Sequence, residues 1–170
     1  AAFSEYDSVA WFENDGSQSF TEHEITTIAN GAYSAFAIDV DGDGDVDMLS
    51  ASQLDDTVAW YESICSTHPP TAAPTPRPTV ACASIGFSSE IVIGQPLCDA
   101  KVGGLYMADV DGDGDVDALT TSECDDAVAW YENDGSQSFT EHIITTLANT
   151  AKSVFAIDLD GDGDVDVLSA

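Results

Sequence analysis

Basic residues are almost missing from this chain of 170 residues. Three Lys and Arg stand against 32 Asp and Glu, so the formal net charge is −29. A surface with so few cations repels phosphate groups, which makes nucleic acid and anionic membranes poor partners. Long hydrophobic runs are also lacking, and without a stretch of 18 or more apolar residues we expect no membrane insertion in this segment.

Catalytic signatures are equally scarce. The sequence has no nucleophile elbow, no phosphate-binding loop and no Ser/His/Asp arrangement. The chain is built largely from near-identical repeats, whereas a unique active site needs asymmetry. His23 and His142 occupy equivalent repeat positions, which favours a structural role for them. We therefore expect that this segment is not an enzyme.

Aspartate, in contrast, is concentrated in three nine-residue loops at 39–47, 109–117 and 158–166. Each loop places five carboxylates at alternate positions and two glycines between them. Carboxylates about 4–5 Å apart repel by roughly 1–4 kcal/mol per pair, which a bound cation would relieve. The candidate metal ligands are Asp39, Asp41, Asp43, Asp45, Asp47, Asp109, Asp111, Asp113, Asp115, Asp117, Asp158, Asp160, Asp162, Asp164 and Asp166.

The spacing of these carboxylates favours calcium, which takes six to eight oxygen ligands in adaptable geometry. We expect side-chain ligands from loop positions 1, 3, 5 and 9 and a backbone carbonyl from position 7. An EF-hand would need a Glu at position 12, where this chain has Ser50, Thr120 and Ser169. Magnesium gains little from so many clustered carboxylates, and the remaining alternative is a solvated acidic turn. Calcium, one ion per loop and three in all, is the predicted cofactor.

The loops recur in step with a Val-Ala-Trp motif that ends at Trp11, Trp60 and Trp130. The repeat is 49 residues long, and the segment 13–23 is identical to 132–142. Alternating apolar residues predict four strands per unit, at Val128–Glu132, Phe139–Thr145, Val154–Asp158 and Val116–Thr121 (Val46–Ala51 in the first unit). Four strands per unit is typical of a propeller blade. The fold class predicted is all-β, a partial β-propeller of about three four-stranded blades, each with an Asp-rich calcium loop.

One interruption divides the repeats. Five of the six prolines lie within 68–79, which predicts an extended Pro/Thr-rich segment. The domain boundaries predicted are 1–62, a blade region with the first calcium loop; 63–86, an insert or linker; and 87–170, a blade region with the second and third calcium loops. Residues 87–93 resemble 139–145, so the strand after the insert is retained. The insert is either a long hairpin tip or a linker between two arrays.

The four cysteines favour two disulfides and an oxidising compartment. Cys65 and Cys82 bracket the Pro-rich segment, while Cys98 and Cys124 replace leucines of other repeats within one unit. No Cys-x-x-Cys pair or Cys/His cluster indicates zinc. The recurring aromatics at Trp11, Trp60 and Trp130 either pack between blades or form a sugar-binding array, and packing is the favoured interpretation.

The motif Asp-x-Asp-x-Asp-Gly-x-x-Asp, repeated with Val-Ala-Trp-Tyr-Glu-Asn, resembles the FG-GAP/VCBS repeat family. The resemblance covers the chain except about 63–86. It implies calcium-binding β-propeller blades like those of the integrin α-chain head.

We therefore expect a calcium-binding repeat module of a larger extracellular or cell-surface protein, with a structural or adhesive role. Its partner would be a protein, a glycan or further blades of the same parent chain. A lectin-like propeller, or an accessory propeller of a larger secreted enzyme, is the alternative. Because the chain begins at Ala1 and stops inside a repeat, we expect it to be a fragment.

Overall fold

The computed structural model describes residues 2–3, 7–65, 85–94 and 102–170. These residues form strands and no helix, which confirms the all-β class. The strands in chain order are β1 (Ala2–Phe3), β2 (Ser8–Asn14), β3 (Phe20–Thr26), β4 (Ala32–Ile38), β5 (Asp47–Ser52), β6 (Thr57–Tyr61), β7 (Ser63–Cys65), β8 (Ile85–Phe87), β9 (Ile91–Gly94), β10 (Val102–Ala108), β11 (Asp117–Ser122), β12 (Ala127–Asn133), β13 (Phe139–Thr145), β14 (Val154–Ile157) and β15 (Asp166–Ser169).

Two sheets have four antiparallel strands each, in the orders β4-β5-β6-β9 and β10-β11-β12-β13. A three-stranded sheet, β1-β2-β3, precedes them along the chain, and the ladder β14-β15 follows. In each four-stranded sheet an acidic loop connects the first strand to the second. The sequence analysis placed the Trp-containing strand first in the unit. In the structure each four-stranded sheet begins with the strand before the acidic loop, and the Trp-containing strand is the third. The propeller arrangement of these sheets stays a prediction.

The second strand of each four-stranded sheet is buried on both faces. Met48 of β5 packs in a cluster with Val9 of the first sheet, while its neighbour Leu49 packs in a cluster with Met107 of the next sheet. Successive side chains of a strand point to opposite faces, so β5 contributes to two cores at once. Leu119 of β11 repeats the arrangement by packing with Val154 of β14. The sheets are therefore stacked in chain order, and each sheet packs on its neighbours through apolar side chains.

The tryptophans of the third strands are buried to different degrees. Trp60 is fully buried in the core between the two four-stranded sheets, and Trp130 is partly buried against the β14–β15 ladder. This confirms packing for Trp60 and Trp130, whereas for Trp11 it stays a prediction. A second aromatic row was not anticipated: the ring centroids of Phe36 and Tyr106 lie 5.7 Å apart, and those of Tyr106 and Phe155 lie 4.6 Å apart. These three occupy the equivalent position on the strand that precedes each acidic loop.

The Pro-rich insert itself, residues 66–84, lies outside the described part of the chain. Its two ends are adjacent, because β7 pairs with β8 in the register Ser63↔Phe87. Beyond this ladder, β9 pairs with β6 and completes the sheet that contains the first acidic loop. Adjacent ends are the arrangement expected of a hairpin tip, and one sheet draws its strands from both sides of the insert.

The described part of the chain contains no free cysteine. Cys82 and Cys98 lie outside that part, so the two disulfides stay predictions. Among the described residues there is also no helix of the length and apolarity needed to cross a membrane.

Candidate metal centres

The first acidic loop is shaped by hydrogen bonds from its glycine amides to its first carboxylate. The amide N–H of Gly42 donates to Asp39 Oδ1 at 2.8 Å, and that of Gly44 donates to Oδ2 at 3.0 Å. Both glycines have positive φ, +74° and +98°, a conformation that side-chain-bearing L-residues rarely adopt. The loop therefore curls around the Asp39 carboxylate because glycine stands at these two positions.

The next two carboxylates are also fixed by the loop backbone. Asp41 accepts a hydrogen bond from the N–H of Asp43 at 3.2 Å, and Asp43 accepts one from Asp45 at 2.8 Å. The second and third loops repeat all four bonds, with distances of 2.7–3.2 Å. Three loops thus adopt one geometry independently of the sheet in which they lie.

This geometry brings carboxylate oxygens together in threes, all within 4.8 Å of one another. The members are Asp39, Asp41 and Asp43 in the first loop; Asp109, Asp111 and Asp117 in the second; and Asp158, Asp160 and Asp166 in the third. Such all-oxygen donor sets suit a hard cation and do not suit zinc or copper. Each loop can therefore hold a metal ion.

The carboxylate at position 9 is the anchor between loop and sheet. Asp117 is fully buried and accepts hydrogen bonds from the N–H groups of Val110 and Asn133, each at 2.8 Å. Asp47 accepts the equivalent bonds from Val40 at 3.1 Å and from Ser63 at 2.7 Å. Asn133 is the last residue of the third strand β12, and Ser63 lies two residues past the end of β6, so each anchor joins three segments of the chain.

The third loop lacks half of this anchor within the described residues. Asp166 accepts a bond from the N–H of Leu159 at 2.9 Å, but the ladder β14-β15 has no third strand to supply a second donor. Asp166 is also partly exposed, whereas Asp47 and Asp117 are buried. The third loop therefore has the same ligands on a looser support.

The remaining predicted ligands lie in the same loops but outside the triplets. Asp113 and Asp162, at position 5, accept backbone N–H bonds like their counterpart Asp43. The position-7 residues are Asp45, Asp115 and Asp164, and the Asp115 carboxylate lies against the hairpin turn at Gly135. Their backbone carbonyls as ligands stay a prediction. Sequence reasoning missed Ser63 and Asn133 because a backbone donor leaves no signature in residue type.

Burial makes some of these carboxylates hard to ionise. Burial, together with the nearby carboxylates of Asp43, Asp47 and Glu62, raises the pKa of Asp41 to about 6. Burial is likewise the main cause that raises the pKa of Asp47 and of Asp117. Each raised pKa measures how unfavourable a bare negative charge is at these positions. A proton or a cation relieves that cost, and at neutral pH a cation is the better competitor.

The raised pKa values predict that the metal-free protein becomes more stable as pH falls from about 7 to about 4. Between the unfolded pKa of 3.8 and the folded value of about 6, folded Asp41 binds more protons than the unfolded chain does. Lowering the pH through this window therefore increases the free energy of unfolding. Thermal melts of the chain, stripped of metal on a chelating resin, measure the effect.

With calcium in excess the trend should reverse, since protons then displace the ion from the same oxygens. Melts recorded with and without calcium across the same buffers provide the control. A metal-free melting temperature that falls steadily from pH 7 to pH 4 would contradict this prediction.

Outside the loops, the repeated histidines form surface pairs. His142 lies 2.6 Å from a carboxylate oxygen of Glu132 and stacks on Trp130, with ring centroids 4.6 Å apart. His23 makes the same contacts in the first sheet, at 3.0 Å to Glu13 and 4.4 Å to Trp11. Each pair links neighbouring strands within its own sheet, so these histidines serve the sheet structure.

Comparison with known families agrees with this repeat architecture. The family model of the FG-GAP-like repeat matches residues 1–63 and 86–169, which is most of the chain and leaves out the Pro-rich insert. No curated protein matches the chain significantly. The matched ranges include all three acidic loops and every four-stranded sheet described above. The chain therefore belongs to the FG-GAP-like repeat family.

Proposed function

We propose that this chain is a calcium-binding repeat module of a larger extracellular or cell-surface protein, with a structural or protein-interaction role. The observation that carries the proposal is that each of the three loops, folded by the same backbone hydrogen bonds, brings three carboxylates together. Each ion would rigidify the loop that joins the first two strands of its sheet, within a partial β-propeller.

Calcium fits these loops better than other hard cations. Five carboxylates and the backbone carbonyls of a nine-residue loop offer the six to eight oxygens that calcium takes at about 2.3–2.6 Å. Magnesium requires a rigid octahedron and usually keeps several waters, so it gains less from a dense ligand set. Extracellular modules bind calcium with Kd values of about 10⁻⁴–10⁻³ M, which suits a secreted or surface protein.

Further repeats of the parent chain are the first partners we propose. Leu168 of β15 is 39% exposed, whereas its equivalents Leu49 and Leu119 are fully buried by the next sheet. The free side of β15 also lacks the strand that β12 provides for β11. A further sheet of this family would cover both features in the register already used within the chain. Beyond this, a protein or glycan would bind the exposed loops.

A sugar-binding role is the weaker alternative. It was motivated by the recurring aromatics, but Trp60, Tyr61 and Tyr131 are buried and offer no platform to a sugar ring. The repeated His–Glu pairs join neighbouring strands in equivalent positions, which favours a structural role, so we propose no enzymatic activity for this segment. An accessory role in a larger enzyme would use the module in the same calcium-stabilised form.

The proposal predicts that the chain binds three calcium ions, two tightly and one more weakly. The weak site is the third loop, because Asp166 has one backbone donor where Asp47 and Asp117 have two. An anchor that is already hydrogen-bonded loses less freedom when the ion binds. Isothermal titration calorimetry on the metal-free chain gives the number of sites and their order.

Two further titrations complete the test. The Asp160→Ala variant should abolish the weak site alone, and magnesium at the same concentration should give much less heat. A flat calcium titration of the folded chain would overturn the proposed function.

A further inference from the structure

We propose that Asn133 couples the first and second calcium loops, so that an ion in one loop raises the calcium affinity of the other. The inference rests on the calcium-binding function proposed above. Asn133 is 2% exposed and lies at the end of β12, where its side chain reaches the acidic loop of the preceding sheet.

Every polar group that Asn133 offers at this junction is engaged. Its Nδ2 donates to the carbonyl oxygen of Val40 at 3.3 Å and to that of Val116 at 3.2 Å. Its Oδ1 accepts from the N–H of Gly135 at 3.2 Å, which fixes the orientation of the amide. Val40 belongs to the first loop and Val116 to the second. One buried side chain therefore bonds two neighbouring loops at the same time.

These bonds form a continuous path between the anchoring carboxylates of the two loops. Val40 donates its backbone N–H to Asp47, and its carbonyl oxygen, in the next peptide group, accepts from Asn133 Nδ2. The N–H of Asn133 in turn donates to Asp117. The path from Asp47 to Asp117 thus passes through two residues, both of them buried.

The direction of the coupling follows from the cost of ordering this path. An ion in the first loop holds the Asp47 carboxylate, which restrains the backbone on both sides of the buried Val40 and, through the Val40 carbonyl, the Asn133 amide. The second ion then meets an Asp117 anchor that is already held and loses less conformational freedom. By linkage the effect is reciprocal. Repulsion between the two ions opposes it, but it is screened over about 8 Å at physiological salt.

The chain itself contains the controls. Asn14 lies in the segment identical to 132–142, yet it is exposed, and its Oδ1 accepts from Gly16 within its own turn. Ser63 stands at the position of Asn133 in the preceding repeat and keeps the backbone bond to Asp47 at 2.7 Å. Serine therefore supports the anchor without the amide bridge. Asn133→Ser removes the proposed coupling and Asn14→Ser is its matched control.

Nuclear magnetic resonance reads each loop separately through its glycine amides, at Gly42 and Gly44, at Gly112 and Gly114, and at Gly161 and Gly163. Calcium is titrated into the metal-free chain. Disabling the first loop with Asp43→Ala should weaken the second about fivefold or more, and Asp113→Ala should weaken the first by the same factor. In the Asn133→Ser background both factors should fall to about one, while Asn14→Ser leaves them unchanged.

Each outcome decides the proposal. If Asn133 has only a structural role, Asn133→Ser lowers the melting temperature, but Asp43→Ala and Asp113→Ala still weaken the other loop by the same factors as in the native chain. That result would overturn the proposed coupling. Independent loops in the native chain would overturn it without any Asn133 variant. The third loop, which no described asparagine bridges, shows how much the charge of the other ions alone changes the calcium affinity of a loop. Absence of any calcium-dependent shift would instead reject the calcium function itself.

Discussion

Removal of calcium should lower the melting temperature of this chain by about 20 °C. A ligand at 100 times its Kd stabilises the folded state by about 2.7 kcal/mol per site, so three sites give about 8 kcal/mol. For a chain of this size each kcal/mol corresponds to about 2–4 °C. The formal charge of −29 makes the effect larger at low salt, because the ions also reduce repulsion among the loops.

Differential scanning calorimetry in excess calcium and in excess chelator measures this shift. Adding calcium back to the chelated sample is the control, since recovery of the original melt separates ion loss from irreversible damage. Magnesium at equal concentration should restore only a small part. An identical melt with and without chelator would contradict a structural role for the ion.

The Asp117→Ala change should cost more stability than the loss of one ion. Removing this carboxylate leaves the buried N–H of Asn133 and the part-buried N–H of Val110 without acceptors, at about 1–3 kcal/mol each. The burial cost of the charge, visible in its raised pKa, is recovered and offsets part of the loss. In saturating calcium we expect a net penalty of about 2–4 kcal/mol beyond that of the lost ion, which lowers the melting temperature by about 10 °C.

Asp166→Ala is the matched variant for this measurement. It also removes the position-9 ligand of one loop, but it leaves only the Leu159 N–H without its acceptor, and that site is partly exposed. The difference between the two melting temperatures therefore isolates the cost of the buried donors. Equal melts for the two variants would show that the anchor adds nothing beyond its ion.

Local patterns predicted much of the fold. The strand predicted at Phe139–Thr145 is β13 with the same bounds, and the all-β class follows from alternation without any helical stripe. Both signals depend on neighbouring residues alone, so they can be read from the chain. The strand order within a sheet also follows, because short turns join consecutive antiparallel strands.

Register was less predictable. The sequence match of 87–93 with 139–145 aligns Ile91 with Ile143. In the structure Ile91 lies opposite Trp60, whereas His142 holds that place opposite Trp130. The segment after the insert has one residue more between Phe87 and Ile91 than β13 has between Phe139 and His142, and this shift lets Ile91 and Ile93 pack on the core. Burial of a whole face outweighs local similarity in deciding such a shift.

The three acidic loops were determined by sequence alone, since two glycines in nine residues favour a turn and five carboxylates provide oxygens that could hold a cation. Only the tertiary structure decided how those loops are supported. Asp47 and Asp117 are anchored by backbone N–H groups from a strand 16 residues further along the chain, and Asn133 reaches the carbonyl of Val40 across 93 residues. Backbone donors are the same in every residue type, so their positions emerge only when the sheets stack and bring distant segments together.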